Sequence, residues 1–541
     1  MKRGHYLFFL FITLFVNCYG QEYSRSDTLR GALNSNRTCF DVIRYDLDLV
    51  INFSNKTISG FNKIRFDVIS STNQIQLDLY ENMFIDSILY DGVKLSYKRD
   101  GNAVHIDFPW RLLKGTTEEL LFYYHGQPRY AVNPPWDGGF SWEKDQKGRD
   151  WLGVCCQGVG ASLWWPCKDH LSDEPESMSM SFTVPSSLVA VSNGRLKKRE
   201  AINRHYTKYI WSVDNPINTY NVTLNVAYYK HIYDTYISDS DQKLDLDYYV
   251  IRENSDTAKK HFKQVHDILR VLEKYFGPYA FYNDSYKLVE SSYWGMEHQS
   301  CLAYGNHFKN NDWDFDFIIL HETAHEWFGN SLSAVDNAEL WLHEAFATYA
   351  EVLYIEETQD YYESIKYLIT KKSSINNDHV MLGDMGVNYA WEDSDIYTKG
   401  AWMLHTLRSV INNDELWFDI LITFCERYFK SSVVSADFID LVNEKTGSDY
   451  SYFFDHYLKK AKLPKLEYRV TKGKKGIYLL SYKWVNVSND FTMPVQVSFV
   501  DGEFEWIQPT SDWKTMHIRK NSAANFRPAT HLFLIDFVKV K

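Results

Sequence analysis

At 541 residues the chain is too long for one hydrophobic core, so two to four domains are expected. Apolar residues make up 45% and charged residues 24%, ordinary globular usage that excludes a disordered chain. A formal charge of −12 argues against a nucleic-acid partner and against an anionic membrane surface.

The first twenty residues read as an address. Lys2 and Arg3 precede the apolar run "YLFFLFITLFV", and "NCYG" follows before Gln21. A spanning helix needs about 20 apolar residues, so residues 1–20 are expected to be a signal peptide cleaved near Gly20. The mature chain would be exported, periplasmic or secreted, with a net charge of −14 once Lys2 and Arg3 are gone. Asn17 is a poor residue before a lipidated cysteine, which disfavours an anchor at Cys18. No later segment reads as a membrane span. Six cysteines remain, Cys39, Cys155, Cys156, Cys167, Cys301 and Cys425. They fit structural thiols, or one local bridge from the Cys155/Cys156 pair to Cys167, better than a disulfide scaffold.

Three blocks follow. From about residue 40 to 230 apolar and polar positions alternate, as in "YDLDLVINF" and "FNKIRFDVI", broken by turns such as "YDGVKL". This predicts an N-terminal antiparallel β-domain over 21–240. The 16% aromatic content suits strand cores better than sugar-binding platforms. From about 250 to 460 the period turns helical, as in "TAKKHFKQVHDILRVLEKYF", giving a mainly helical domain over 241–462. After Pro464 the alternation resumes, and about 78 residues suit a C-terminal β-sandwich over 463–541. The fold class is α+β multidomain. The basic clusters "LKKRE" and "KGKKG" read as solvated turns.

In the helical block stands "HETAHEWFGN", residues 321–330. Phe317, Ile318, Leu320, Ala324, Trp327 and Phe328 surround it, so the helix should be buried all round. Buried histidines and glutamates need partners or a metal. His321 and His325 lie one turn apart on one face, where both imidazoles can reach one tetrahedral ion. The plain alternative is a pair of satisfied core histidines. "AELWLHEAFATYAEVLY" then places Glu344 nineteen positions after His325, between the apolar helical neighbours Leu340 and Ala347. Two histidines and one glutamate leave a fourth position open, the catalytic type of zinc site, with one Zn2+ per chain. Glu322 points about 100° away from the histidine face, where it can take a proton from water as general base.

These residues carry a resemblance. "HETAHEWFGN" with "ELWLHEAFATY" at that spacing resembles the gluzincin aminopeptidases of the aminopeptidase N and leukotriene hydrolase family, peptidase family M1. "YWGMEHQS" resembles that family's G-x-M-E-N exopeptidase motif, "IYTKGAWML" its Y-x-K-G segment, and "CCQGVGASLWWPCKD" the first-domain segment whose glutamine reaches the active site. The resemblance implies a thermolysin-like catalytic domain. It gives Glu297 and Gln157 the substrate's α-amino group, with Gly295 and Met296 beside them as substrate-binding residues. It gives Tyr397 the oxyanion formed when water attacks the carbonyl. The implied activity is a zinc metallo-aminopeptidase acting on peptides with a free N-terminus. The competing readings are a zinc hydrolase of a non-peptide substrate such as an epoxide, and a peptide-binding protein without turnover.

Departures from the motifs are Trp294 and His298, in place of glycine and asparagine, and His343 and Ala345 around the third ligand. Trp294 and His298 are expected to reshape the pocket for the first substrate side chain. The short stretch after Pro464 also implies a form without the large C-terminal helical domain of many relatives, and hence a cleft open on one side. The oligomeric state is not legible.

Overall fold

The computed structural model describes residues 23–388, 394–472, 478–500, 503–518 and 526–541. The leader with Cys18, and all but the first residue of "KGKKG", lie outside the described residues.

The first unit is built on an eight-stranded sheet. Its strand Phe40–Asn52 pairs antiparallel with Thr57–Val68 and parallel with Ser177–Pro185, an exception to the expected antiparallel pairing. The alternation works as read: Tyr45, Leu47, Leu49 and Ile51 are buried, with Asp46 and Asp48 between them on the other face. A four-stranded sheet contains Asp150–Cys155, whose C-terminal end delivers Gln157 to the neighbouring unit. Each of the six described cysteines is a buried free thiol, so no bridge joins Cys155 or Cys156 to Cys167. Burial pushes the Cys155 thiol up to about 12, which keeps it protonated and unreactive.

The second unit begins earlier than residue 240. Strand β1 (Tyr229–Ile237) forms a hairpin with β2 (Lys243–Ile251), and both belong to the sheet that carries the site. That sheet continues through β3 (Tyr286–Glu290), β4 (Gly295–Met296) and β5 (Leu302–Tyr304), in the order β1-β2-β3-β5-β4. The expected boundary at residue 240 falls within this hairpin. Strand β4 lies at the sheet edge, so one side of its backbone is free of strand partners.

Three helices complete the site's frame: α1 (Phe317–Ala324), α2 (Trp341–Thr358) and α3 (Asp395–Ile411). The Asp316 side chain caps α1 by accepting from Ile318 N at 3.0 Å. It also accepts from Tyr304 Oη at 2.6 Å, which ties the helix start to β5. α1 is shorter than its apolar run suggested: it ends at Ala324, and Trp327 and Phe328 lie beyond it. His325 keeps αR geometry and its N–H still reaches His321 O, so the one-turn relation of the histidines survives. α3 lies so close to α2 that a Cβ on Gly400 would meet Ala345 Cβ at 2.5 Å. The glycine of "YTKG" thus sets the approach that brings Tyr397 to the site.

The C-terminal strands form a four-stranded and a three-stranded sheet. Their core is continuous with the helical unit: Leu466, Trp484, Val497 and Phe533 share one apolar cluster with Phe453 and Tyr457. Tyr457 Oη donates to Leu534 O at 2.7 Å across this junction.

Candidate active site

Nε2 of His321 and Nε2 of His325 are 3.2 Å apart, and Glu344 Oε2 lies 3.5 Å and 3.3 Å from them. A tetrahedral ion with bonds of about 2.0–2.2 Å places its ligand atoms about 3.3–3.6 Å apart. The triangle has that size. Each outer nitrogen is occupied: His321 Nδ1 donates to Glu351 Oε1 at 2.9 Å, and His325 Nδ1 to Phe328 O at 2.9 Å. These bonds turn both Nε2 lone pairs toward Glu344. Glu344 Oε2 is buried without a hydrogen-bond donor, while Oε1 accepts from Gln157 Nε2 at 2.9 Å. Two facing lone pairs and an orphaned carboxylate oxygen are the donor set of a cation, and two imidazoles with one carboxylate fit Zn2+.

The electrostatics agree. Burial opposes charge on His321 and His325, yet the carboxylates of Glu344 and Glu351 lift His321 to about 10, and Glu344 lifts His325 to about 9. Burial pushes Glu322 up to about 8 against the pull of both histidines. Burial would raise Glu344 too, but His325 and His321 hold it well below the usual carboxylate range. The carboxylates of Glu344 and Glu351 thus favour positive charge at the two imidazoles.

The remaining expected residues converge on it. A cavity of about 470 Å³ is lined by Gln157, Gly295, Met296, Glu297, Glu322 and Tyr397 together with the three ligands. Glu297, Glu322 and His325 each present an atom within 4.8 Å of the other two. Gln157 Nε2 also donates to Glu297 Oε1 at 3.0 Å, so the amide bridges Glu297 and Glu344 and leaves its own oxygen to accept. A Cβ at Gly295 would meet Glu322 Oε1 at 2.3 Å; the glycine makes room for that carboxylate. Tyr397 stacks on His321 with ring centroids 6.1 Å apart. Burial, then the charges of Glu344 and Glu297, push its phenol well above the ordinary tyrosine value and keep it a donor.

One expectation changes. Trp294 lines the cavity, but His298 does not: it is buried outside the lining and held neutral, its pKa pushed down to about 3 by burial. His343 accepts from Ala334 N at 2.8 Å and so holds the strand Leu332–Ala334. Sequence reasoning missed Glu351, which also accepts from Tyr367 Oη and pairs with Lys371 Nζ at 2.9 Å. Its signal was available, because it follows Glu344 by seven residues and therefore shares its helix face. Glu326, the motif's second glutamate, is structural and accepts from Tyr279 Oη at 2.6 Å and Ser300 N at 2.8 Å.

Fold and site together define a two-histidine, one-glutamate metal centre. Residues 42–221 match the peptidase M1 N-terminal domain, and residues 261–457 match the peptidase family M1 domain. The two stretches cover more than half of the chain, which belongs to peptidase family M1. Among curated relatives, aminopeptidase N of Lactococcus lactis is 26% identical over 159 residues, 27% of this chain and 19% of that protein. Human glutamyl aminopeptidase is 24% identical over 206 residues, 36% of this chain and 21% of that protein. The matches thus span about a fifth of these relatives' length. The fold resembles the M1 zinc metallopeptidase of Deinococcus radiodurans, with TM-score 0.69, 21% identity, and 81% of this chain and 98% of that one covered. A mutant of that protein bound to a Tyr-Ser-Ala substrate gives TM-score 0.67 over 81% and 98% of the two chains.

Proposed function

We propose that this chain is a zinc-dependent aminopeptidase that hydrolyses the N-terminal residue from peptides. One observation carries the reading: Glu297, a carboxylate outside the ligand triad, sits within 4.8 Å of His325 and Glu322 ligand atoms. An ammonium paired with Glu297 puts the first carbonyl at the triad, because one residue spans only about 3.8 Å. The cut then falls after residue one.

Bound zinc supplies a Lewis acid that polarises the carbonyl and makes water a nucleophile near neutral pH. Glu297 and the free oxygen of Gln157 hold the amine. Glu322 takes the proton from the attacking water and returns it to the leaving nitrogen. Tyr397 donates its phenol hydrogen bond to the developing oxyanion, a contribution of a few kcal/mol. The family's aminopeptidase members support this reading, as do the motifs around Glu297 and Tyr397. Export rests on Lys2, Arg3 and the apolar run after them. The test is hydrolysis of a panel of aminoacyl substrates by purified protein. Activity should vanish with a chelator and return with Zn2+; activity indifferent to chelation would contradict it.

A further inference from the structure

The cavity has an aromatic wall that the reaction does not use. Trp294 precedes β4, Trp136 comes from a loop of the first unit, and the two rings lie 6.3 Å apart. Trp294 in turn faces Phe317 at 6.0 Å, and Phe317 faces the ligand His321 at 5.4 Å. Rings therefore run without a break from the rim to the metal ligands. Trp136 is 60% exposed and Trp294 48% exposed, although both line the cavity. Such large apolar surface left to water at a cavity mouth is unusual unless something covers it. Trp294 Nε1 donates to Asn306 Oδ1 at 3.4 Å, which restrains its ring.

The order of residues along β4 fixes which part of a peptide meets this wall. Glu297 marks the amine end. Gly295 lies against Glu322, where the bond is cut. Trp294 follows on the far side of the cut from Glu297. We infer, resting on the aminopeptidase reading, that Trp136 and Trp294 clamp the side chain of the residue immediately after the scissile bond, and that the enzyme selects an aromatic or large aliphatic residue there. The chemistry of the wall favours such a side chain. Ring faces stack on ring edges and faces. Among the described residues that line the cavity, the one lysine or arginine, Lys371, is committed to Glu351 at 2.9 Å and lies over the Phe317 ring at 5.0 Å. Trp294 thereby acts on the second residue, not on the pocket for the first.

The test is a tripeptide series with a fixed first residue that the enzyme accepts, a varied second residue and glycine third. Wild type should show kcat/KM at least tenfold higher for phenylalanine or leucine than for glycine or aspartate in second place. Trp294→Gly and Trp136→Ala should each bring that ratio near one. Trp136→Ala alters an exposed loop residue, so its folding is not at stake. Cleavage of the whole series without discrimination overturns the clamp and leaves the aminopeptidase intact. Cleavage of none overturns both.

Discussion

At the scale of single residues, the site divides into atoms that touch the reaction and atoms that aim them. Glu322 belongs to the first kind: it is no part of the ligand triad, so Glu322→Gln should retain zinc and lose at least a thousandfold in kcat. Metal analysis beside single-turnover kinetics checks this, and an empty site or activity within tenfold of wild type would reject the role. Glu351 belongs to the second kind. It orients His321 through Nδ1 and is itself held by Tyr367 and Lys371. Glu351→Gln should weaken zinc binding by about 10–100-fold, measured by competition with a chromophoric chelator. Unchanged affinity would show that packing alone orients the imidazole. Most of the touching residues were legible, because "HETAH", "LHE", "GMEH" and "YTKG" keep reactive types at fixed helical or strand spacings. Trp136 was not, since only tertiary folding brings it within 6.3 Å of a ring 158 positions away.

At the scale of elements, the decisive contact is between α2 and α3. Ala345 stands one residue after the ligand Glu344, and Gly400 faces it with no space for a methyl group. Gly400→Ala should push α3 outward and displace Tyr397 from His321, destabilising the fold by about 1–3 kcal/mol and lowering kcat more than it changes KM. Restoring room with Ala345→Gly in the same chain should recover much of both losses; a double variant no better than the single one would place the defect elsewhere. Helix α1 teaches what periodicity cannot resolve. Its apolar residues continue through Phe328, yet the helix stops at Ala324, because an all-round hydrophobic run fits any buried conformation. The boundary expected at residue 240 falls between two paired strands. Strand β1 shows no clean alternation, burying only Tyr229 and Tyr236, and its pairing with β2 alone assigns it to the second sheet.

For the whole molecule, the site lies where two units meet: Gln157 and Trp136 come from the first, and the ligands, Glu297 and Tyr397 from the second. Within the second unit, Glu290 closes the hairpin end, accepting from Ile251 N at 2.8 Å and Asn254 Nδ2 at 2.6 Å. Burial pushes its carboxyl up to about 7 from the ordinary 4.5. A raised carboxyl pKa means that its contribution to stability is complete below about 4.5 and is lost as pH rises through about 7, worth at most about 3 kcal/mol. Glu290→Gln should therefore flatten the fall in melting temperature between pH 5 and pH 8; an unchanged slope would mean that Glu290 is ionised in the fold. The central claim is that a carboxylate beside the metal triad counts one residue from a free amine. It is tested most directly by giving the purified zinc-loaded protein one peptide in two forms, free and N-acetylated, and following the products by mass spectrometry. The free peptide should lose residues singly from its N-terminus, and the acetylated one should be cut at least a hundredfold more slowly. Equal cleavage of both, or internal cuts in either, would contradict it.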